Sequence, residues 1–209
     1  DVSNIDGLLG GLGDGMQSAG RGRPQPNMAQ FFGIKATGKK FVFIVDNSGS
    51  MYGEKFAATK RELAYTISRL GPEQSFYVIF FNSEMGKMGL PPDKEPPTNV
   101  VPVTVANVKK FNQWLEKMTT DGGTDPYEAV EFAMSIKPDA IFILSDGQFS
   151  DGGRTLSFLD NANYLFDPEL GDYRPRVNIH TIAFWDRGGE PTMKEIARLH
   201  KGTYRFVPE

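Results

Sequence analysis

The sequence predicts an α/β fold: a doubly wound, mostly parallel six-stranded sheet with one antiparallel edge strand and helices on both faces. Short apolar runs alternate with amphipathic segments of helical period, which is the pattern of strands joined by helices. The runs are apolar at consecutive positions, as expected for strands that are covered on both faces. Two of the runs also stop at an aspartate, Asp46 and Asp146.

The first part of the pattern begins with a strand at 41 to 45, a continuous run of Phe, Val and Ile. A helix predicted at 54 to 70 ends at Gly71 and Pro72, because neither residue continues a helix well. A second strand follows at 75 to 81. The apolar face of the helix consists of Phe56, Leu63, Ile67 and Leu70.

The middle of the chain is richer in proline. Residues 83 to 99 contain four prolines and are predicted to form a loop. The stretch 100 to 105 is predicted to be a short strand, and Pro102 confines it to an edge of the sheet because proline cannot donate a ladder hydrogen bond. A helix at 105 to 118 follows, with apolar residues at helical spacing.

The last part of the pattern returns to regular alternation. A helix begins at Pro126, with Asp125 as its cap, and ends near Pro138. The remaining strands are predicted at 140 to 144, 177 to 184 and 203 to 207, and the remaining helices at 154 to 166 and 191 to 200. The alternation implies that all these strands belong to one sheet.

Length and composition predict one domain and a tail. The chain has 209 residues, of which 39% are hydrophobic, enough for one sizeable core. Residues 1 to 30 are rich in Gly and Pro, and we predict a flexible tether because they cannot bury enough apolar surface to offset the entropy of ordering. Residues 31 to 209 are the predicted domain. The chain starts at Asp1 without an initiator Met, which suggests a segment of a longer protein.

Charge and composition exclude several classes of function. The net charge is −3 with acids and bases mixed, so nucleic acid is not an expected partner. The absence of cysteine excludes disulfides and thiol catalysis. No apolar run reaches the length of a membrane span, so we expect no direct membrane insertion by this segment.

Several hydroxyl and carboxylate side chains follow the predicted strands and could form one divalent-cation site. Ligands of open α/β sheets bind beyond the carboxyl ends of the strands, where the first Asp appears. Gly49 permits a tight turn in which two nearby serine hydroxyls can point to a common centre. Hard oxygen donors suit Mg²⁺, Mn²⁺ or Ca²⁺. The candidate metal ligands are Asp46, Ser48, Ser50, Thr124 and Asp146.

Strand directions bring these five residues to one edge of the predicted sheet. If the strand at 41 to 45 runs upward, the next strand does too, and the edge strand at 100 to 105 returns the chain downward. The helix after it then climbs and delivers Thr124 to the upper edge, which Asp146 also reaches. Without that edge strand, Thr124 would lie at the opposite edge.

Each motif also has an ordinary explanation. Asp, Ser and Gly are common turn residues, so an Asp-x-Ser-x-Ser pattern alone is a weak signal. Asp125 serves as a helix cap, which leaves Thr124 free for a cation, and Asp146 before a glycine is equally typical of a plain turn. His180 and His200 are expected to have structural roles. The metal hypothesis depends on the joint occurrence of the motifs in a consistent topology.

The three motifs resemble those of the von Willebrand factor type A (vWA) domain. They are Asp46-x-Ser48-x-Ser50 after a strand, Gly-Gly-Thr124 before a helix, and Asp146 with a following glycine after another strand. The resemblance implies a Rossmann-like fold and an intact metal-ion-dependent adhesion site, or MIDAS. It implies that Ser48 and Ser50 bind the metal directly and that Thr124 binds it directly or through water. Asp46 and Asp146 would hold metal-bound waters, and Mg²⁺ is the expected cation.

The match covers about 40 to 207, and the segment 31 to 41 further resembles bacterial members of the family. These members are often anchored to a membrane by an upstream helix. The expected location is therefore outside the cytoplasm, with an anchor in a part of the protein that precedes Asp1. A cytoplasmic location is the alternative.

The resemblance implies a non-enzymatic adhesion module in which a protein or peptide donates Asp or Glu to an open position of the cation. We expect the loop 83 to 99 and the stretch 185 to 190 to rim this site. One alternative is a cytoplasmic scaffold subunit that docks on an ATPase-type complex. The other is a metal-dependent hydrolase, although the motifs lack a second Asp in an Asp-x-Asp pattern and a nearby His or Cys.

Overall fold

Strands and helices alternate along the chain in the computed structural model, which describes residues 27–90 and 94–209. The strands in these residues are β1 (Met28–Phe31), β2 (Ile34–Thr37), β3 (Lys40–Asp46), β4 (Ser75–Phe81), β5 (Met85–Lys87), β6 (Val101–Pro102), β7 (Ala140–Ser145), β8 (Tyr164–Asp167), β9 (Asp172–Pro175), β10 (Asn178–Phe184) and β11 (Tyr204–Val207). The helices are α1 (Glu54–Ser68), α2 (Val105–Glu116), α3 (Tyr127–Ser135), α4 (Gly152–Asn163) and α5 (Glu190–Leu199). No helix among the described residues has the length and apolar character needed to cross a bilayer.

The central sheet of the described residues has seven strands, five of which run parallel in the order β11, β10, β7, β3 and β4. β3 lies in the middle, between β4 and β7. The antiparallel strands β5 and β6 both pair with β4 at the edge. The predicted doubly wound, mostly parallel α/β sheet with an antiparallel edge is therefore confirmed.

The edge of the sheet differs in detail from the prediction. The edge strand predicted at 100 to 105 is only two residues long, because Thr104, two residues after it, already caps helix α2. The rest of the edge is β5, which the sequence analysis assigned to a loop and which brings the strand count to seven rather than six. β5 pairs with the end of β4 and β6 with its start, so the edge as a whole runs downward.

Helices cover both faces of the sheet. On one face, Phe76 and Phe80 of β4 contact Phe111 and Trp114 of α2, and α2 packs beside α1. On the opposite face, α3, α4 and α5 pack side by side, and the Thr181 hydroxyl of β10 donates to a carbonyl of α5. Burial on both faces explains why the central strands are apolar at consecutive positions.

A row of aromatic rings crosses the first of these faces. Phe43 and Phe142 stack with their ring centroids 5.2 Å apart, and Phe142 stacks in turn on His180 at 5.1 Å. Phe31, from the β1–β2 hairpin, meets Phe43 and Phe142 edge-on. The hairpin therefore closes the part of this face that the helices leave open. The sequence analysis did not predict these two strands.

The predicted tether and domain boundary are only partly covered by the structure. Residues 1–26 lie outside the described residues, whereas residues 28–30, which the sequence analysis assigned to the tether, belong to β1. β1 pairs with β2 from Met28 onward, so the packed part of the chain begins before residue 31.

A second hairpin, β8–β9, occupies part of a predicted helix. The helix expected at 154 to 166 is α4, which ends at Asn163. The Asn163 side chain bonds both backbone groups of Val177, accepting from its N–H and donating to its carbonyl, each at 2.8 Å. This clamp joins the end of α4 to the start of β10, and the residues between them form the hairpin.

Truncation of Phe142 tests the aromatic row. Phe142→Ala removes a fully buried ring with three aromatic neighbours, and we expect the free energy of unfolding to fall by about 3–5 kcal/mol. Denaturant titration measures this loss. Phe166→Ala is the matched control, because the Phe166 ring is 54% exposed, and a similar loss there would contradict the assignment of the row as core.

The two histidines predict a pH dependence of stability. Burial lowers the pKa of His180, and burial also lowers that of His200 against the opposing effect of Asp160. The unfolded chain therefore binds protons near pH 6.5 that the folded chain does not, so stability falls as the pH drops through that value. Each histidine contributes at most about 1.4 kcal/mol per pH unit.

Denaturant titrations at pH 7.5, 6.5 and 5.5 measure this dependence. We expect His200→Gln to reduce the slope over that range, because glutamine does not titrate. Equal slopes in the two proteins would show that His200 does not contribute.

Candidate metal centre

The two aspartates of the candidate site lie at the carboxyl ends of neighbouring parallel strands. Asp46 is the last residue of β3, and Asp146 follows β7 directly. Both are almost completely buried, with 0% and 3% exposure. Two carboxylates are thus held below the surface at one edge of the sheet, where open α/β sheets bind their ligands.

Asp46 is fixed by one hydrogen bond to each carboxylate oxygen. Oδ1 accepts from the backbone N–H of Ser48 at 2.7 Å, and Oδ2 accepts from the Ser145 hydroxyl at 2.5 Å. Burial raises the pKa of Asp46 above its usual value, although these donors oppose the rise and the nearby Asp146 adds to it. The carboxylate thus has a fixed orientation, and a cation nearby would favour its ionised form.

The two serines lie in a single turn of 3₁₀ helix, Gly49–Met51, and the residue that caps it. Their Oγ atoms are 3.1 Å apart, and the Ser50 hydroxyl donates to Oδ1 of Asp146 at 2.7 Å. Ser48 is buried and Ser50 is exposed. Met51 is fully buried and anchors the turn in the core. The serine pair therefore lies between the buried carboxylates and the solvent.

Lys55 completes this group of side chains. It lies in the first turn of α1, and its Nζ is 2.5 Å from Oδ2 of Asp146. The Lys55 side chain is 24% exposed, whereas that of Asp146 is 1% exposed. A lysine at the amino end of a helix faces the positive end of the helix dipole, so this ion pair offsets an otherwise unfavourable position.

Thr124 lies in a loop that packs against the serine turn. The N–H of Gly49 donates to the carbonyl of Gly122 at 3.1 Å, and the carbonyl of Asn47 accepts from Asp121 at 2.9 Å. Thr124 itself is half-buried, and its carbonyl accepts from Ser150 at 2.8 Å. Within the described residues, Thr124 stands outside the side-chain hydrogen bonds that join Ser48, Ser50 and Asp146. Its loop reaches the site through these backbone bonds and through the Asn47 side chain, which donates to the carbonyl of Thr119 at 2.9 Å.

The predicted rim is only partly where the sequence analysis expected it. In the stretch 185 to 190, Gly189 lies so close to the carbonyl of Gly147 that a Cβ would come within 2.2 Å of it, so this stretch borders the Asp146 loop. The start of the predicted loop 83 to 99 also borders the site, because Ser83 accepts from Gly123 at 2.8 Å. Its later part leaves the site, since the carbonyl of Pro97 accepts from Tyr77 near the start of β4.

The donors of this site are all oxygens. The described residues hold no cluster of three or more His, Cys, Asp or Glu side chains, so a soft transition-metal site is not indicated there. Two hydroxyls beside two carboxylates suit a hard cation that keeps several waters, as Mg²⁺ does. The donor set therefore fits the expected cation.

Sequence reasoning missed two side chains of the site, Ser145 and Lys55. A small polar residue at the end of a buried strand, directly before an Asp, was the available signal for Ser145. For Lys55 the signal was a cation in the first turn of a predicted helix, where the dipole disfavours it. Each signal is weak, because only the folded chain shows which carboxylate the residue contacts.

Comparison with known sequences identifies relatives of the whole domain. A family model described as von Willebrand factor type A domain matches residues 39–206. Human inter-alpha-trypsin inhibitor heavy chain H6 is 26% identical over 195 residues, which cover 85% of this chain and 14% of that protein. Human heavy chain H4 is 26% identical over 144 residues, or 69% of this chain and 14% of that protein. The chain therefore spans a small part of either relative.

Solved structures share the fold. A von Willebrand factor type A protein from Catenulispora acidiphila has a TM-score of 0.68 at 14% identity, over 93% of this chain and 48% of that chain. Proximal thread matrix protein 1 from the mussel byssus, solved with zinc in its MIDAS motif, has a TM-score of 0.57 at 17% identity, over 86% and 42%. The family match and the shared fold show that the chain belongs to the von Willebrand factor type A domain family, a family of protein-interaction and adhesion modules.

Proposed function

We propose that this domain is a non-enzymatic, cation-dependent protein-binding module with an intact MIDAS. The observation that carries the proposal is the hydrogen-bonded group of Ser48, Ser50 and Asp146 beside the buried Asp46. In this proposal the serine hydroxyls bind Mg²⁺ directly, and Thr124 binds it directly or through water. Hydroxyl ligands are neutral, so the cation keeps most of its charge.

In this proposal the two carboxylates do not bind the metal directly. Each already accepts hydrogen bonds from the protein, Asp46 from Ser48 and Ser145, and Asp146 from Ser50 and Lys55. They therefore hold metal-bound waters rather than the metal itself, which leaves a position for an Asp or Glu of a partner. Mn²⁺ and Ca²⁺ are the other cations that this donor set accepts. The zinc-occupied MIDAS motif of the mussel protein supports metal binding at this edge of the fold.

Tyr52 supports a protein partner. It follows the serine turn, two residues after Ser50, and 82% of its surface is exposed. Tyrosine is enriched among the residues that dominate protein interfaces, because it buries a large area at a low cost in side-chain entropy. We assign Tyr52 to the surface that receives the partner.

The histidines support the non-enzymatic part of the proposal. Both are buried, and each has a ring nitrogen bonded within the protein, His180 to the N–H of Thr203 and His200 to Asn163. Neither is placed to act as a general base on a metal-bound water, a role that histidine takes in many hydrolases. The bacterial type of the domain and its display outside the cytoplasm are parts of the same proposal, and they derive from the resemblance of segment 31 to 41.

Cation binding is the first test. Millimolar Mg²⁺ or Mn²⁺ is expected to raise the melting temperature, because a ligand at about 100 times its Kd stabilises the fold by about 2.7 kcal/mol. Ser50→Ala and Asp46→Ala are expected to abolish the shift, and titration calorimetry gives the Kd. Asp167→Ala, which removes a carboxylate from β8, is the matched control. An equal shift in all four proteins would contradict a cation at this site.

Recognition of a partner carboxylate is the second test. Arrays of peptides with a central Asp or Glu, compared with the same peptides carrying Asn or Gln, are expected to bind in Mg²⁺ and to be released by a chelator. Tyr52→Ala is expected to weaken this binding about tenfold, the effect of losing a typical interface tyrosine. Tyr65→Ala is the control, since Tyr65 is also exposed but lies on α1. Binding that survives the chelator would contradict the cation-dependent mechanism.

A further inference from the structure

A protein cation already occupies one side of the candidate metal centre. The Lys55 ammonium contacts Oδ2 of Asp146, while Oδ1 accepts from the Ser50 hydroxyl. Asp146 is thus satisfied on both oxygens before any ion arrives. A buried carboxylate without such partners would be costly, because it would lose its hydration without compensation.

The charges of the group show what Lys55 changes. With both carboxyl groups ionised, Asp46 and Asp146 carry two negative charges, and Lys55 offsets one of them. A divalent cation therefore enters a site with a net charge of −1 rather than −2, close to a fixed positive charge. Both effects weaken cation binding, and both follow from Coulomb's law.

Lys55 is also held in this position by burial and by its helix. Its side chain is mostly buried against a nearly inaccessible Asp146, so the pair is shielded from solvent and salt more than a surface pair is. The residue is fixed by α1, which starts three residues after Met51 and packs near the same edge of the sheet. Lys55 is therefore not a freely moving surface lysine, and its ammonium has a fixed place beside Asp146.

We propose that Lys55 is a resident counter-cation of the site, which holds Asp146 in place when no metal is bound and sets a low affinity for the divalent cation. This inference rests on the proposed function, since it concerns the same site. It makes two variants of one residue informative: Lys55→Gln removes the charge, whereas Lys55→Arg retains it.

Titration calorimetry with Mn²⁺ alone tests the proposal. Lys55→Gln is expected to tighten the Kd about tenfold, the effect of removing a unit charge about 6 Å from a dication even in a water-like dielectric. Lys55→Arg is expected to stay within about threefold of the unchanged protein, because its charge remains. Arg198→Gln, which breaks an ion pair with Glu195 outside the stretch that borders the site, is the matched control and is expected to leave the Kd unchanged.

Melting in a chelator gives a second readout. Lys55→Gln is expected to lower the melting temperature without metal, because Asp146 loses its partner, and Mn²⁺ is expected to restore more stability to this variant than to the unchanged protein. If the unchanged protein binds Mn²⁺ and Lys55→Gln binds it equally or more weakly, the role of Lys55 is wrong and the metal site stands. If neither protein binds Mn²⁺, the proposed function fails as well.

Discussion

The burial of one carboxylate organises the whole upper edge of this domain. Asp46 ends a strand whose other inner residues are all apolar, and its side chain has no exposure to solvent. An ionised carboxylate in that position is tolerated only with hydrogen bonds to both oxygens. The donor on one side is the backbone of Ser48, which fixes the start of the serine turn. The donor on the other side is Ser145, which ties β3 to the end of β7 and so fixes where Asp146 emerges.

The loop that carries Thr124 is joined to this edge by backbone hydrogen bonds and by the side chains of Asn47 and Ser83. Gly122 has a φ of 69°, a left-handed conformation that glycine adopts without strain, and a Cβ there would contact the Ser83 hydroxyl at 3.0 Å. The tight turn lets its carbonyl accept from Gly49. Gly122 is therefore a requirement of loop packing, and it serves the site because the packing partner is the serine turn. Structural and functional explanations of this motif are compatible.

The central strands and the direction of the chain could be predicted from the sequence, because the period of the apolar residues and their burial determine both. Phe76, for example, lies in a continuous apolar run and is fully buried between two helical layers. The same reasoning placed Thr124 and Asp146 at one edge, although it depended on an edge strand that proved to be two residues long at Val101. The β1–β2 and β8–β9 hairpins could not be predicted from the local sequence pattern. Each is specified by contacts between residues far apart in the chain, such as the hydrogen bonds of Asn163 at the start of β10. The role of Lys55 could not be predicted for the same reason, because its partner is 91 residues away.

The directions of the hydroxyl hydrogen bonds in the serine pair explain how a cation could bind while the other hydrogen bonds of the site remain. A hydroxyl has one hydrogen, and Ser50 uses its own to donate to Asp146, so Ser48 must be the donor in the contact between the two serines. A cation held by both oxygens would therefore break only the Ser48–Ser50 bond. The bond from Ser50 to Asp146 would persist and would turn the lone pairs of Ser50 away from the carboxylate, toward the open side. In this arrangement Asp146 orients a ligand while remaining paired with Lys55, so one carboxylate links the affinity of the site for metal to the stability of the fold without metal.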